Sequence, residues 1–78
     1  MENTQQRGFL HWLAVRTKPV SYAVCTRDTG HQTFYPTYRE AEDAVVRLLR
    51  SPDRPNFDLE SVHFLFGKEY RKSGIIRL

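Results

Sequence analysis

The sequence predicts a small α+β domain: an antiparallel sheet of four to five strands packed on one helix, in the order β-β-β-α-β-β. Three observations carry this. The chain has 78 residues, 40% hydrophobic and 13% aromatic, enough for one modest core, since a domain of this length buries only about 60% of its unfolded surface. One segment, residues 38–50, has an apolar stripe at helical spacing behind a capping box. The other apolar segments are short, rich in β-branched and aromatic residues, and separated by Gly and Pro.

Residues 1–8 are polar and read as a flexible N-terminal segment, so the single domain spans 9–78. Residues 9–17 are apolar on both alternating faces, which fits a central buried strand; a short helix has the same apolar content. Lys18-Pro19 breaks the run, because proline cannot donate to a ladder. Residues 20–27 form a strand with Val20, Tyr22, Val24 and Thr26 on one face and Ser21, Ala23, Cys25 and Arg27 on the other. Asp28-Thr29-Gly30 is turn chemistry, and residues 31–35 return as the second arm of a hairpin.

In Thr37-Tyr38-Arg39-Glu40 the Thr37 hydroxyl is placed to accept the Glu40 amide, and Glu40 to reach back to the Thr37 amide. Tyr38, Ala41, Ala44, Val45, Leu48 and Leu49 share the stripe. Arg39 with Asp43, and Asp43 with Arg47, are spaced to pair on the outer face. Ser51-Pro52 ends the helix. Residues 53–58 read as a loop whose Phe57 folds back on the core. Residues 61–66 form a strand with Val62, Phe64 and Phe66 on one face, residues 67–74 a polar, basic connection, and residues 75–78 a short closing strand.

The formal charge is +3, unevenly spread: net +3 over residues 1–27, −3 over 28–60 and +3 over 61–78. Basic ends lying together in one sheet would make a face attractive to nucleic acid or an acidic protein surface. Nine of the twelve basic residues are Arg, the residue suited to planar bidentate contacts. One cysteine forms no internal disulfide, so a reducing, cytoplasmic setting is expected. The absence of a long apolar run argues against membrane partners.

Several constellations resolve to ordinary roles. Asp28-Thr29-Gly30 has the letters of an aspartic-protease triplet, but that chemistry needs two carboxylates sharing a proton and apolar residues before the Asp. His11, His31, His63 and Cys25 fall in no metal-ligand spacing, so neither a metal nor another cofactor is expected. Cys25 reads as a small buried strand residue rather than a nucleophile. Glu40, Glu42 and Asp43 are helix-surface charges. No catalytic pattern remains, and the expectation is a protein that is not an enzyme.

Phe9, Phe34, Phe64 and Phe66 are expected in the core. Trp12, Tyr22, Tyr35 and Tyr70 pair an apolar body with a polar edge and suit an interface. With Arg16, Lys18, Arg27, Lys68, Arg71 and Lys72 they make the candidate binding set. A sheet covered on one side by one helix leaves its second face to solvent or a partner, and that face is expected to carry some of Leu10, Trp12, Tyr22 or Tyr35. Three antiparallel strands followed by a helix resembles the sheet-in-groove DNA-binding modules of some integrases and plant regulators over about half the chain, with no base-reading signature. The expected function is binding of another protein through the open sheet face or an edge, in the manner of a stand-alone inhibitor or adaptor of the phage, host-modulating or anti-defence type. The alternative is a nucleic-acid-binding module using the basic ends, which requires its six cations on one contiguous face. A homodimer paired edge to edge is compatible with either.

Overall fold

The computed structural model describes residues 4–76. The order is α1 (Thr4–Ala14), β1 (Ser21–Thr26), β2 (His31–Tyr35), α2 (Tyr38–Arg50), β3 (Phe57–Leu65) and β4 (Lys68–Ser73). The strands form one antiparallel sheet in the order β2-β1-β3-β4. The predicted class holds: a four-stranded antiparallel sheet with helix packed on it.

The first element differs from expectation. Residues 9–14 are the end of a helix, not a central strand, and Thr4 to Gly8 lie in that helix rather than in a loose terminus; residues 1–3 of that terminus lie outside the described residues. Both spacings were available in an apolar run. The helix wins because Leu10, Leu13 and Ala14, at i, i+3 and i+4, turn to the sheet, with Ala14 fully buried. Its last carbonyls are satisfied by the turn that follows: the Thr17 amide and hydroxyl both donate to the Ala14 carbonyl, at 3.0 and 2.6 Å. Pro19 then stops any continuation. With the first strand gone, the three-strands-then-helix resemblance to DNA-binding modules loses its basis.

The β1–β2 hairpin forms as expected. Gly30, at φ +71°, donates its amide to the Thr26 carbonyl at 2.8 Å, and the Thr29 hydroxyl accepts the His31 amide at 3.2 Å, so Asp28-Thr29-Gly30 is a turn. The α2 cap also forms, with one change: the Glu40 amide donates to Thr37 Oγ1 at 3.2 Å, but the Glu40 carboxylate accepts from the Thr37 hydroxyl rather than from its amide. Neither Arg39–Asp43 nor Asp43–Arg47 closes into an ion pair among the described residues.

Strand β3 begins at Phe57, earlier than the apolar run suggests, and residues 68–73 of the basic connection are strand β4. The turn between them is Phe66-Gly67, both at positive φ (53° and 75°), the geometry that matches strand twist in a two-residue hairpin. This ends β3 before Phe66. Ile75 and Ile76 are in no strand, and residues 77–78 of the expected closing strand lie outside the described residues.

Register sets the layers. Val24 pairs with Leu59 and Tyr22 with Ser61, so Tyr22, Val24, Leu59, Ser61 and His63 share one face. Helix α2 packs there: Val24, Ala41, Ala44, Val45 and Leu59 form the core, flanked by Tyr35, Tyr38, Leu48, Phe57 and Ile75. Leu49, expected on the stripe, is 37% exposed. Helix α1 covers the β3–β4 half of the same face, where the His11 ring meets Tyr70 edge-on and donates Nε2–H to the Arg71 carbonyl at 2.8 Å. The sheet therefore carries two helices, not one, both on one side.

Three stability outcomes follow. Leu59→Ala should lower stability by about 2–5 kcal/mol in urea unfolding, because its side chain is fully buried. Thr37→Ala should cost about 1 kcal/mol through the lost cap. Phe66→Asn should raise the midpoint, because a bulky residue pays about 1–2 kcal/mol in the left-handed region that Asn tolerates; an unchanged midpoint would refute that strain.

Candidate binding surface

The second face of the sheet carries Ser21, Ala23 and Cys25 of β1, Gln32 and Phe34 of β2, Asp58, Glu60, Val62 and Phe64 of β3, and Glu69, Arg71 and Ser73 of β4. Neither helix covers it, yet Ala23 and Val62 are buried there. Their cover is a layer of side chains, and Arg71 organises it. From the edge strand β4 its guanidinium reaches inward, donating to Glu69 at 2.7 Å, to Glu60 at 3.1 Å and to Gln32, on the opposite edge strand, at 2.6 Å. It also lies 5.3 Å from the Phe34 ring centre, within cation–π range. Bonds to the two carboxylates hold the guanidinium pKa above its ordinary value. One side chain thus links β4, β3 and the far edge strand β2 from the uncovered side.

Phe34 and Phe64, expected in the core, stand on this face at 52% and 47% exposure. The reason is the register: once Leu59, Ser61 and His63 face the helices, Val62 and Phe64 must face away. Phe9 and Phe66, also expected in the core, are exposed too, Phe9 on the outer side of α1 and Phe66 at the turn. The open face therefore presents Phe34 and Phe64, and none of Leu10, Trp12, Tyr22 or Tyr35.

The sequence-derived set is divided by the fold. Trp12 stacks on Phe9, with Arg16 4.3 Å above its ring, on the exposed side of α1. Lys18 is exposed in the link to β1. Tyr22 and Tyr35 face α2, half-buried, and Tyr22 packs edge-on against Tyr38. Tyr70, with Lys68 and Lys72, is on the helix-covered side of β4, while Arg71 is on the open side. Arg27 closes a bidentate pair with Asp58 at 2.7–3.0 Å on the sheet surface. Lys68 and Arg71 lie on opposite sides of one strand, and Arg27 and Arg71 are each held by carboxylates. The six cations make no single face.

Two polar groups on the helix-covered side carry no ligand-binding signature in sequence. His63 and Ser61 alternate in an apolar strand, and both are buried. The His63 Nδ1–H donates to the Thr17 carbonyl at 2.9 Å, which leaves Nε2 to accept from the Ser61 hydroxyl at 2.8 Å; the acceptor-only carbonyl assigns this tautomer. The spacing is that of a nucleophile and base, but both ring nitrogens are engaged, Nδ1 in anchoring the chain after α1 to β3 and Nε2 within β3 itself. An open cleft of about 210 Å³ beside them is lined by Val15, Pro19, Tyr22, Tyr38 and Lys72. Among the described residues no three His, Cys, Asp or Glu side chains are placed to hold a metal, and no helix is long and apolar enough to cross a membrane.

Cys25 lies on the open face, its thiol pointing at Glu60 Oε1 at 3.7 Å. Burial first, then the Glu60 carboxylate, push its pKa up. No family model, curated protein or solved structure matches this chain.

At about pH 8.5 the raised pKa leaves less thiolate in the folded chain than in the unfolded one, and thiolate is the reactive form. Iodoacetamide should therefore label Cys25 more slowly in buffer than in urea, and Glu60→Gln should narrow the gap. Separately, His63→Ala leaves the Thr17 carbonyl and Ser61 hydroxyl unpaired, a loss of about 1–3 kcal/mol, with α1 the first element to lose amide protection in hydrogen exchange.

Proposed function

We propose that this chain is a non-catalytic binding module that engages another protein through the part of its sheet that the helices leave uncovered. The observation that supports it is the one-sided sheet, whose open face sets two half-exposed phenylalanines beside an arginine already held in place. Aromatic residues and Arg are the side chains that most often anchor protein interfaces. Holding Arg71 by Glu60, Glu69 and Gln32 before any partner arrives reduces the entropy lost on docking. A small rigid surface of this kind suits an inhibitor or adaptor that acts by occupying a partner's surface, the role expected of a host-modulating protein. The division of the cations between faces counts against the nucleic-acid alternative, which needs several phosphate contacts from one surface.

The test pairs two assays. In fluorescence anisotropy with single- and double-stranded oligonucleotides at two salt concentrations, the chain should show no micromolar, salt-steep binding. In cross-linking pull-downs from the source cells, a protein partner retained by the wild-type chain should be lost with the Phe34→Ser/Phe64→Ser double variant, which should remain folded because both rings are half-exposed. Tight, salt-steep oligonucleotide binding would overturn the reading.

A further inference from the structure

The two edges of the sheet are treated differently. At β4 the His11 side chain occupies the Arg71 carbonyl, α1 lies across the strand, and Lys68 and Lys72 stand along it. Helix and lysine are both devices that discourage strand addition. The β2 edge has no lysine, and α2 touches that strand from the helix-covered face, leaving a cleft between them. Its sequence, His31-Gln32-Thr33-Phe34-Tyr35, contains no Lys, Pro or acid, and among the described residues β1 is its sole strand partner. As on any antiparallel edge, half of its backbone groups face outward.

Beside this edge, between β2 and α2, lies an open cleft of about 280 Å³ with Val24, Tyr35, Ala44 and Leu48 as its apolar surfaces and Thr33 and Arg47 at its rim. Arg47 is exposed, and no described carboxylate pairs with it; Asp43, one turn earlier, does not close the bridge its spacing allows. An open strand edge, an adjoining apolar cleft and an uncompensated cation thus meet at one place. Strand addition uses these features together: main-chain bonds supply affinity, and pockets for alternate side chains supply selectivity.

We propose that the β2 edge takes an extended, acidic segment of a partner protein as a fifth strand, with alternate aliphatic side chains entering the α2–β2 cleft and a carboxylate meeting Arg47. This rests on the protein-binding reading above and moves the contact from the open face to one edge and the cleft on its helix-covered side. The charge argument selects the occupant: an added strand with its own cations would meet Arg47 with like charge, and a second copy of this chain pairing β2 to β2 would bring no carboxylate from that strand.

The test begins with selection of short random peptides displayed on phage against the full chain. The selected peptide, made synthetically, is then titrated into the isotopically labelled protein. The expected result is peptides with alternating aliphatic residues and at least one acid. Amide shifts should concentrate in β2 and the facing side of α2. N-methylating one alternation of peptide amides should abolish binding while the other alternation is spared. Arg47→Glu should weaken binding by about tenfold or more, as expected for a close interfacial charge pair, and Phe64→Ser should leave it unchanged. Failure to select any peptide overturns the edge proposal. So do peptides indifferent to N-methylation and to Arg47→Glu but lost with Phe64→Ser, although that pattern would uphold binding by the open face. A partner captured in pull-downs and retained by both Arg47→Glu and the Phe34→Ser/Phe64→Ser variant would refute both.

Discussion

The pairing of β1 with β3 that sets Val24 against Leu59 is the constraint on which the rest depends. It decides which alternation of the two central strands meets the helices, and a slip of one residue would exchange every side chain between faces. With this register, the apolar stripe of α2 finds Val24 and Leu59, the polar pair Ser61 and His63 is placed where the end of α1 can satisfy it, and Phe64 is turned outward. Among the described residues, Leu59 and Val45 are the only large side chains buried completely. In so small a core each correct contact is a large share of the net stability.

Polar contacts then do what a larger core would otherwise do. On the covered side, His63 fastens the segment after α1 to β3 through its Nδ1–H bond to the Thr17 carbonyl, while Ser61 of the same strand satisfies Nε2. On the uncovered side, Arg71 spans from one edge strand to the other and shields Ala23 and Val62. The exposed Arg27–Asp58 pair adds little, as solvated ion pairs do, but Arg71 is three-quarters covered and bonded to three partners. The same layer that protects the open face also fixes its shape, and that link joins stability to the proposed binding role.

Elements with local signals were legible in the sequence. The Thr37 cap, the stripe of α2 and the Gly30 turn each depend on residues within a few positions, and each forms. The failures lie where a local pattern fits two structures or where a distant partner decides. Residues 9–14 fit strand and helix equally until Thr17 and His63 are brought together, 46 positions apart. Val62, Phe64 and Phe66 looked like the core-facing alternation because they are the more apolar one; the set that meets the helices is Leu59, Ser61 and His63, made acceptable by hydrogen bonds invisible in composition, while Val62 is buried on the opposite side. The sequence anticipated a sheet face left uncovered, and Arg71 lies on it, but the phenylalanines expected inside stand there too. Nothing local marks Gln32 and Glu60 as partners of Arg71.

A one-sided sheet with an unshielded β2 edge accounts for the exposed phenylalanines, the arginine strap and the asymmetry between edges in one arrangement. Its central claim is that the second face and the β2 edge meet solvent. The most direct measurement is paramagnetic relaxation enhancement by a soluble gadolinium chelate, read at side-chain protons. The account predicts strong broadening at Phe34 and Phe64 and protection at Val24, Val45 and Leu59. Protection of Phe34 and Phe64 at protein concentrations where the chain is monomeric would contradict it, because it would mean that part of the chain covers the face assigned here to a partner.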